Sequence, residues 1–164
     1  MKLAFAVLVA TLVTGARASA SQSAGSVLEY QIDIDTAGGF IGGGRGGVTV
    51  SPDGSVWAAR GMGANRQSSA CRTRLSAEER QSLQEAVVSA RRTPWPPTFN
   101  PEGDKGCCDR IKWTLRLQQA ATGPAVQTFV TMWHDGNEKR LPRELGVIKE
   151  VAWRAFGRAL ASCR

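Results

Sequence analysis

Apolar and polar residues alternate from position 28 to 35. Leu28, Tyr30, Ile32 and Ile34 point one way, and Glu29, Gln31, Asp33 and Asp35 the other. That period of two predicts a half-buried strand with an acidic outer face. The pattern returns at Ile111, Trp113, Leu115 and Leu117 against Lys112, Thr114 and Arg116, so a second such strand has a basic outer face. Short β-prone runs at 48–50 and 56–58 flank Ser51-Pro52-Asp53-Gly54-Ser55. Proline presets φ there and glycine takes the left-handed position, which predicts a hairpin. Residues 126–133 carry apolar side chains on both faces, the pattern of a central or doubly covered strand.

The period changes to that of a helix over residues 75–92. Leu83, Ala86, Val87 and Ala90 recur at helical spacing on one face. Ser76 and Glu79 form the S-x-x-E capping box, in which each side chain accepts from the other's backbone N–H. Glu78 and Glu79 suit the positive end of the helix dipole, and Arg91 and Arg92 the negative end. A second amphipathic helix opens at Pro142, where proline fits, and runs to the C-terminus through Leu145, Ile148, Val151, Ala152, Ala155, Phe156, Ala159 and Leu160. Strands precede the first helix and fill most of the interval to the second. The predicted class is therefore α+β: an antiparallel sheet of four to five strands packed with two helices, in the order β-β-β-α-β-β-α.

The connections carry their own signals. Seven glycines occupy residues 38–47, a permissive connection that also holds Phe40, Ile41 and Arg45. A formal G-x-G-x-x-G lies at Gly42, Gly44 and Gly47, but Val48-Thr49-Val50 follows as strand, and dinucleotide binding needs a helix N-terminus there. Residues 61–74 are polar and read as a lead-in to the first helix. Pro94, Pro96 and Pro97 stop that helix and force an extended path. The loop running on to Cys108 is long enough to need a pin.

Residues 1–20 set the compartment. A basic Lys2, an apolar run over 3–13 and A-x-A sites at Ala16-Arg17-Ala18 and Ala18-Ser19-Ala20 form a signal peptide, too short to span a bilayer. Residues 21–164 then form a single exported domain, periplasmic or secreted. Its formal net charge of +7 for the whole chain falls by two when Lys2 and Arg17 leave. The remaining basic residues are scattered, a pattern of solvated faces rather than a nucleic-acid site. Cys71, Cys107, Cys108 and Cys163 are an even count in an exported chain and read as two disulfides. Adjacent cysteines pair poorly across one peptide bond. Cys71 and Cys163 are therefore expected each to take one of Cys107 and Cys108. No C-x-x-C spacing supports zinc, and no cofactor is expected.

Catalytic chemistry has no signature in the chain. His134 is its single histidine and the natural general-base candidate, but it sits in His134-Asp135-Gly136-Asn137 and reads as a turn residue. Glu29, Asp33 and Asp35 suggest a carboxylate pair of the glycosidase kind, although an outward acidic strand face is ordinary. Neither G-x-S-x-G nor H-E-x-x-H occurs.

The order of these motifs resembles a known arrangement. A strand ends in Gly39-Phe40, a hairpin turns on Asp53-Gly54, and Leu75-Ser76-x-Glu78-Glu79 leads to Leu83. Trp95, a strand holding Asp109 to Trp113-x-Leu115, a strand with Thr and Trp, and Leu141-Pro142-x-x-Leu145 follow. This is similar to the emfourin-type family, small bacterial proteins that include an inhibitor of thermolysin-like metalloproteases. The resemblance covers roughly residues 28–160. It implies a small sheet-and-helices domain that binds a protein rather than catalysing a reaction. The signal peptide, the four cysteines and the longer glycine loop depart from that family's small intracellular members. The reading is an exported non-catalytic protein-binding domain, with inhibition of a secreted metalloprotease as its specific form. Phe40, Ile41 and Arg45 are its candidate partner-binding residues, chosen from loop position. The alternatives are an envelope structural or stress-resistance protein with no single target, and a small hydrolase using His134. Neither nucleic acid nor stable membrane insertion is expected.

Overall fold

A computed structural model describes residues 28–39, 45–60, 71–104, 109–119 and 127–163. Residues 1–20, expected to form a signal peptide, and Phe40, Ile41, Cys107 and Cys108 lie outside the described residues. The elements are β1 (Tyr30–Gly38), β2 (Gly47–Val50), β3 (Ser55–Ala59), β4 (Cys71–Arg74), α1 (Ala77–Ala90), β5 (Ile111–Gln119), β6 (Thr128–His134), a 3-10 turn (Glu138–Arg140) and α2 (Arg143–Ser162). The strands form one antiparallel sheet in the order β4-β3-β2-β1-β5-β6. The class is α+β, as the periodicities predict.

β1 is the sheet's axis. Ile32 stands between Val50 and Leu117, and Ile34 between Val48 and Leu115, so the alternating apolar rows of three strands coincide. These residues are fully buried. The helices cover that row: Leu83, Val87 and Ala90 from α1 and Leu145, Ile148, Ala152, Ala155 and Ala159 from α2 join the same core. Both parts of the capping box are formed, with Glu79 N–H donating to Ser76 Oγ at 3.1 Å and Ser76 N–H to the Glu79 carboxylate at 2.9 Å. Arg158 of α2 grips the same carboxylate with two contacts of 2.7 Å, tying the helices together.

Three expectations change. Residues 71–74 are not a lead-in but a sixth strand, longer by one than the expected sheet. Cys71 and Thr73 face Ala58 and Val56 there, while Arg72 and Arg74 face out. β6 is an edge strand, not a central one. Its outer face is open, with Val130 44% exposed, and residues 96–100 lie along its free edge. Met132 N–H donates to Pro97 O, Phe99 N–H to Met132 O, and Thr131 Oγ1 to Pro96 O, at 2.8–3.1 Å. Prolines with no N–H to offer thus shield the edge, which guards against strand-to-strand association.

The third change is the disulfide. Cys71 bonds Cys163 directly, with their Cα atoms 5.5 Å apart and 92 residues between them. Neither therefore pairs with Cys107 or Cys108. The physical reason is the course of α2, whose C-terminal turn passes over the inner face of β4 at Cys71. The same end is held by Ser162 Oγ donating to Arg72 O.

Candidate functional site

The glycine run leaves the sheet at Gly39 and returns at Arg45, and its return is tightly seated. Thr36 Oγ1 accepts from Arg45 N–H at 2.7 Å and from Gly46 N–H at 2.9 Å, and donates to Gly46 O. Gly46 has φ +119, and a Cβ there would meet Ala59 O at 2.2 Å, so only glycine fits. This seat holds Arg45 over the edge of an aromatic column. The Arg45 guanidinium lies 5.8 Å from the Trp113 ring centre and 3.4 Å from Asp135 Oδ2, with its side chain half exposed. Trp113 Nε1–H donates to the other oxygen of Asp135.

The column itself runs through the helix–sheet interface. Trp113 stacks on its cross-strand neighbour Trp133 and meets Trp153 of α2 edge-on at 4.6 Å. Trp153 stacks on Phe156 at 4.3 Å. Lys149 Nζ sits 4.5 Å over the Trp113 ring, so two cations approach one indole. Beyond Lys149 opens a groove of about 490 Å³, lined by Trp153, Leu141, Gly146 and the charges of Glu138, Glu150 and Arg154. A Cβ on Gly146 would meet nothing within 4 Å, so this glycine deepens the groove rather than relieving a clash. Burial pushes the Glu138 carboxyl up, but backbone N–H groups, including that of Gly136, and Lys149 outweigh it and hold it below the ordinary glutamate value.

His134 belongs to a different arrangement. It is not a turn residue: it closes β6 opposite Lys112 and is buried. Its backbone N–H donates to Asn100 Oδ1, which also accepts from Asn137 Nδ2. Its Nδ1 lies 3.8 Å from Asp104 Oδ1, beyond hydrogen-bond range. Asp104 itself takes a two-pronged grip from Arg110 at 2.9 and 3.1 Å and a further bond from Asn137. Arg110 reaches on to Asp135 O. This network ties Asn100 and Asp104 of the long loop to the end of β6 and the turn after it. Among the described residues the imidazole makes no hydrogen bond to a hydroxyl or thiol, so no nucleophile is paired with it.

Two of the three acidic strand residues are held by other side chains. Glu29 pairs with Arg91 at 2.8 Å, and Asp33 accepts from Thr49 at 2.6 Å and Gln31 at 3.0 Å. Among the described residues no group of three or more His, Cys, Asp or Glu is placed to hold a metal ion. Of the candidate partner residues, Arg45 sits at the aromatic column; Phe40 and Ile41 lie outside the described residues. Trp153 escaped the sequence reading, although its place three residues before Phe156 put it at the rim of the apolar stripe. No family model and no curated protein matches the chain, so the site is read from its own geometry.

Proposed function

We propose that this chain is an exported, non-catalytic protein-binding domain, and that its specific form is an inhibitor of a secreted thermolysin-like metalloprotease, as the emfourin resemblance implies. One observation supports the binding reading: Arg45, its backbone N–H held by Thr36 at the foot of the segment that holds Phe40 and Ile41, lies over Trp113, which in turn meets Trp153 of the groove wall. Anchors of this kind, aromatic and arginine, dominate binding energies at protein interfaces. The Cys71–Cys163 bond supports an oxidising compartment, periplasmic or extracellular. No described helix is long and apolar enough to cross a membrane.

The test is titration of a secreted thermolysin-like protease with residues 21–164. Stoichiometric slowing of peptide hydrolysis is expected. No slowing at micromolar excess removes the inhibitor form. Gly146→Leu separates groove from fold. The new side chain enters open space, and helix propensity improves by up to about 1 kcal/mol. Its thermal stability should hold while partner affinity falls roughly tenfold or more, a loss of about 1.4 kcal/mol. Affinity equal to that of the parent chain would exclude the groove from the interface.

A further inference from the structure

Both helices cover one face of the sheet, and the other face presents its own row of side chains. Register places Arg72, Trp57, Thr49, Asp33, Arg116 and Val130 side by side across six strands. Thr49 and Val130 are uncharged, and Asp33 is buried and engaged by Thr49 and Gln31. Arg116 is exposed and unpaired among the described residues but has no aromatic neighbour in the row. The β3–β4 end differs in setting two arginines around a tryptophan. Trp57 is half-buried there, with Arg72 directly opposite it and Arg74 one pleat further along, opposite Ser55. Diagonal neighbours in a sheet lie within reach of long side chains.

These three side chains line an open groove of about 330 Å³, with Ser55, Val56 and Thr73. Its charge is unbalanced. Arg72 is exposed and forms no ion pair among the described residues. Arg74 has only an exposed contact to Asp53 at 3.3 Å, with 72% of its own side chain exposed. Surface pairs of this kind contribute little and exchange readily for another anion. Two arginines and one tryptophan lining a single groove suit an anionic group attached to a ring: the guanidinium fork matches a carboxylate, and the indole packs on the ring's apolar face.

From this we infer that the open face binds an acidic polysaccharide, one carboxylated sugar ring packing on Trp57 with its carboxylate held by Arg72 and Arg74. This is independent of the protein-binding groove, which lies on α2. A single-stranded nucleic acid is the less suited polyanion, because tracking it calls for successive stacking aromatics along the strand. The described outer row has one, Trp57. The strand pairing also explains why Arg72 and Arg74 alternate with Cys71 and Thr73: the inner pair serves the core and leaves the outer pair free for a ligand.

The experiment is calorimetric titration of residues 21–164 with a defined alginate oligosaccharide, with neutral dextran of similar length and oligo-dT as comparisons. Alginate binding that weakens with salt and is absent for dextran is expected. Arg72→Gln with Arg74→Gln should cost tenfold or more, and Trp57→Ala at least threefold. Lys112→Gln with Arg116→Gln removes the same charge from β5 and should change affinity by less than twofold; circular dichroism confirms that each variant is folded. No alginate binding overturns the inference. So does equal loss in both double variants, which would mean diffuse charge alone. Tighter binding of oligo-dT than of alginate would replace the polysaccharide with a nucleic acid and overturn it as well.

Discussion

Gly46 shows how one residue decides the placement of another. Its left-handed backbone lets the chain return to the sheet directly under Ala59, and the return presents Arg45 to Trp113. An alanine here meets a backbone oxygen rather than a pliable side chain, and it must also adopt positive φ. We expect Gly46→Ala to destabilise the fold by about 2 kcal/mol or more, as strain at a special φ/ψ does. Urea denaturation measures it, and a change within about 0.5 kcal/mol would show that the seat is soft. Gly146 is the opposite case: it has room for a side chain and none is present. The sequence alone distinguished neither glycine. Gly46 was one of seven in a run, and Gly146 sat in an ordinary helix.

At the scale of elements, the legible parts were those with local causes. Period two located β1 and β5 because both faces of a strand are set within a few residues. The capping box located α1 within two residues of its observed ends, since its donors and acceptors lie three positions apart. β4 was illegible because two of its four residues are arginines, which reach a strand by pairing with β3 rather than by propensity. β6 read as central or doubly covered because apolar residues sit on both its faces. Yet Val130 on the outer face is 44% exposed, and the proline segment along its edge leaves no mark on that periodicity. In the candidate site Arg45 was legible as the charged end of a glycine run. The Trp153 groove was not, because it depends on how α2 crosses the sheet.

The α1–α2 clamp yields a pH dependence. Burial pushes the Glu79 carboxyl up, but Arg158, the Ser76 N–H and Arg154 together outweigh it and hold it below the ordinary value of 4.5. A carboxylate whose folded value is depressed contributes stability above its unfolded pKa and loses it as pH falls through the folded one. The melting temperature should therefore be nearly flat from pH 7 to about 5 and fall below about 4.5. Glu79→Gln keeps the capping geometry and removes the charge. It should melt lower at pH 7 and show a smaller acid-induced drop than the parent. An identical acid profile would mean that other carboxylates carry the effect, and Glu138, also depressed, is the next to test.

At the scale of the whole molecule, what matters is which parts the disulfide joins. Cys71 lies on the edge strand and Cys163 one residue beyond α2, so the 92-residue span encloses α1, β5, β6 and α2. β1, β2 and β3 lie outside that loop but pair with strands inside it, through β1–β5 and β3–β4. A reduced chain would let the α2 end and β4 part together, because β4 is a four-residue edge with little pairing of its own. Closing so long a loop restricts the unfolded chain considerably, and removing a native bridge of this kind typically costs about 2–4 kcal/mol. Cys71→Ser with Cys163→Ser should lower the unfolding free energy by that amount, while Cys107→Ser with Cys108→Ser should leave the Cys71–Cys163 bond in place. Peptide mapping of the non-reduced protein decides the pairing directly. A crosslink from Cys71 to Cys107 or Cys108 would contradict the course of α2 over β4 and, with it, the outward alternation that exposes Arg72 and Arg74.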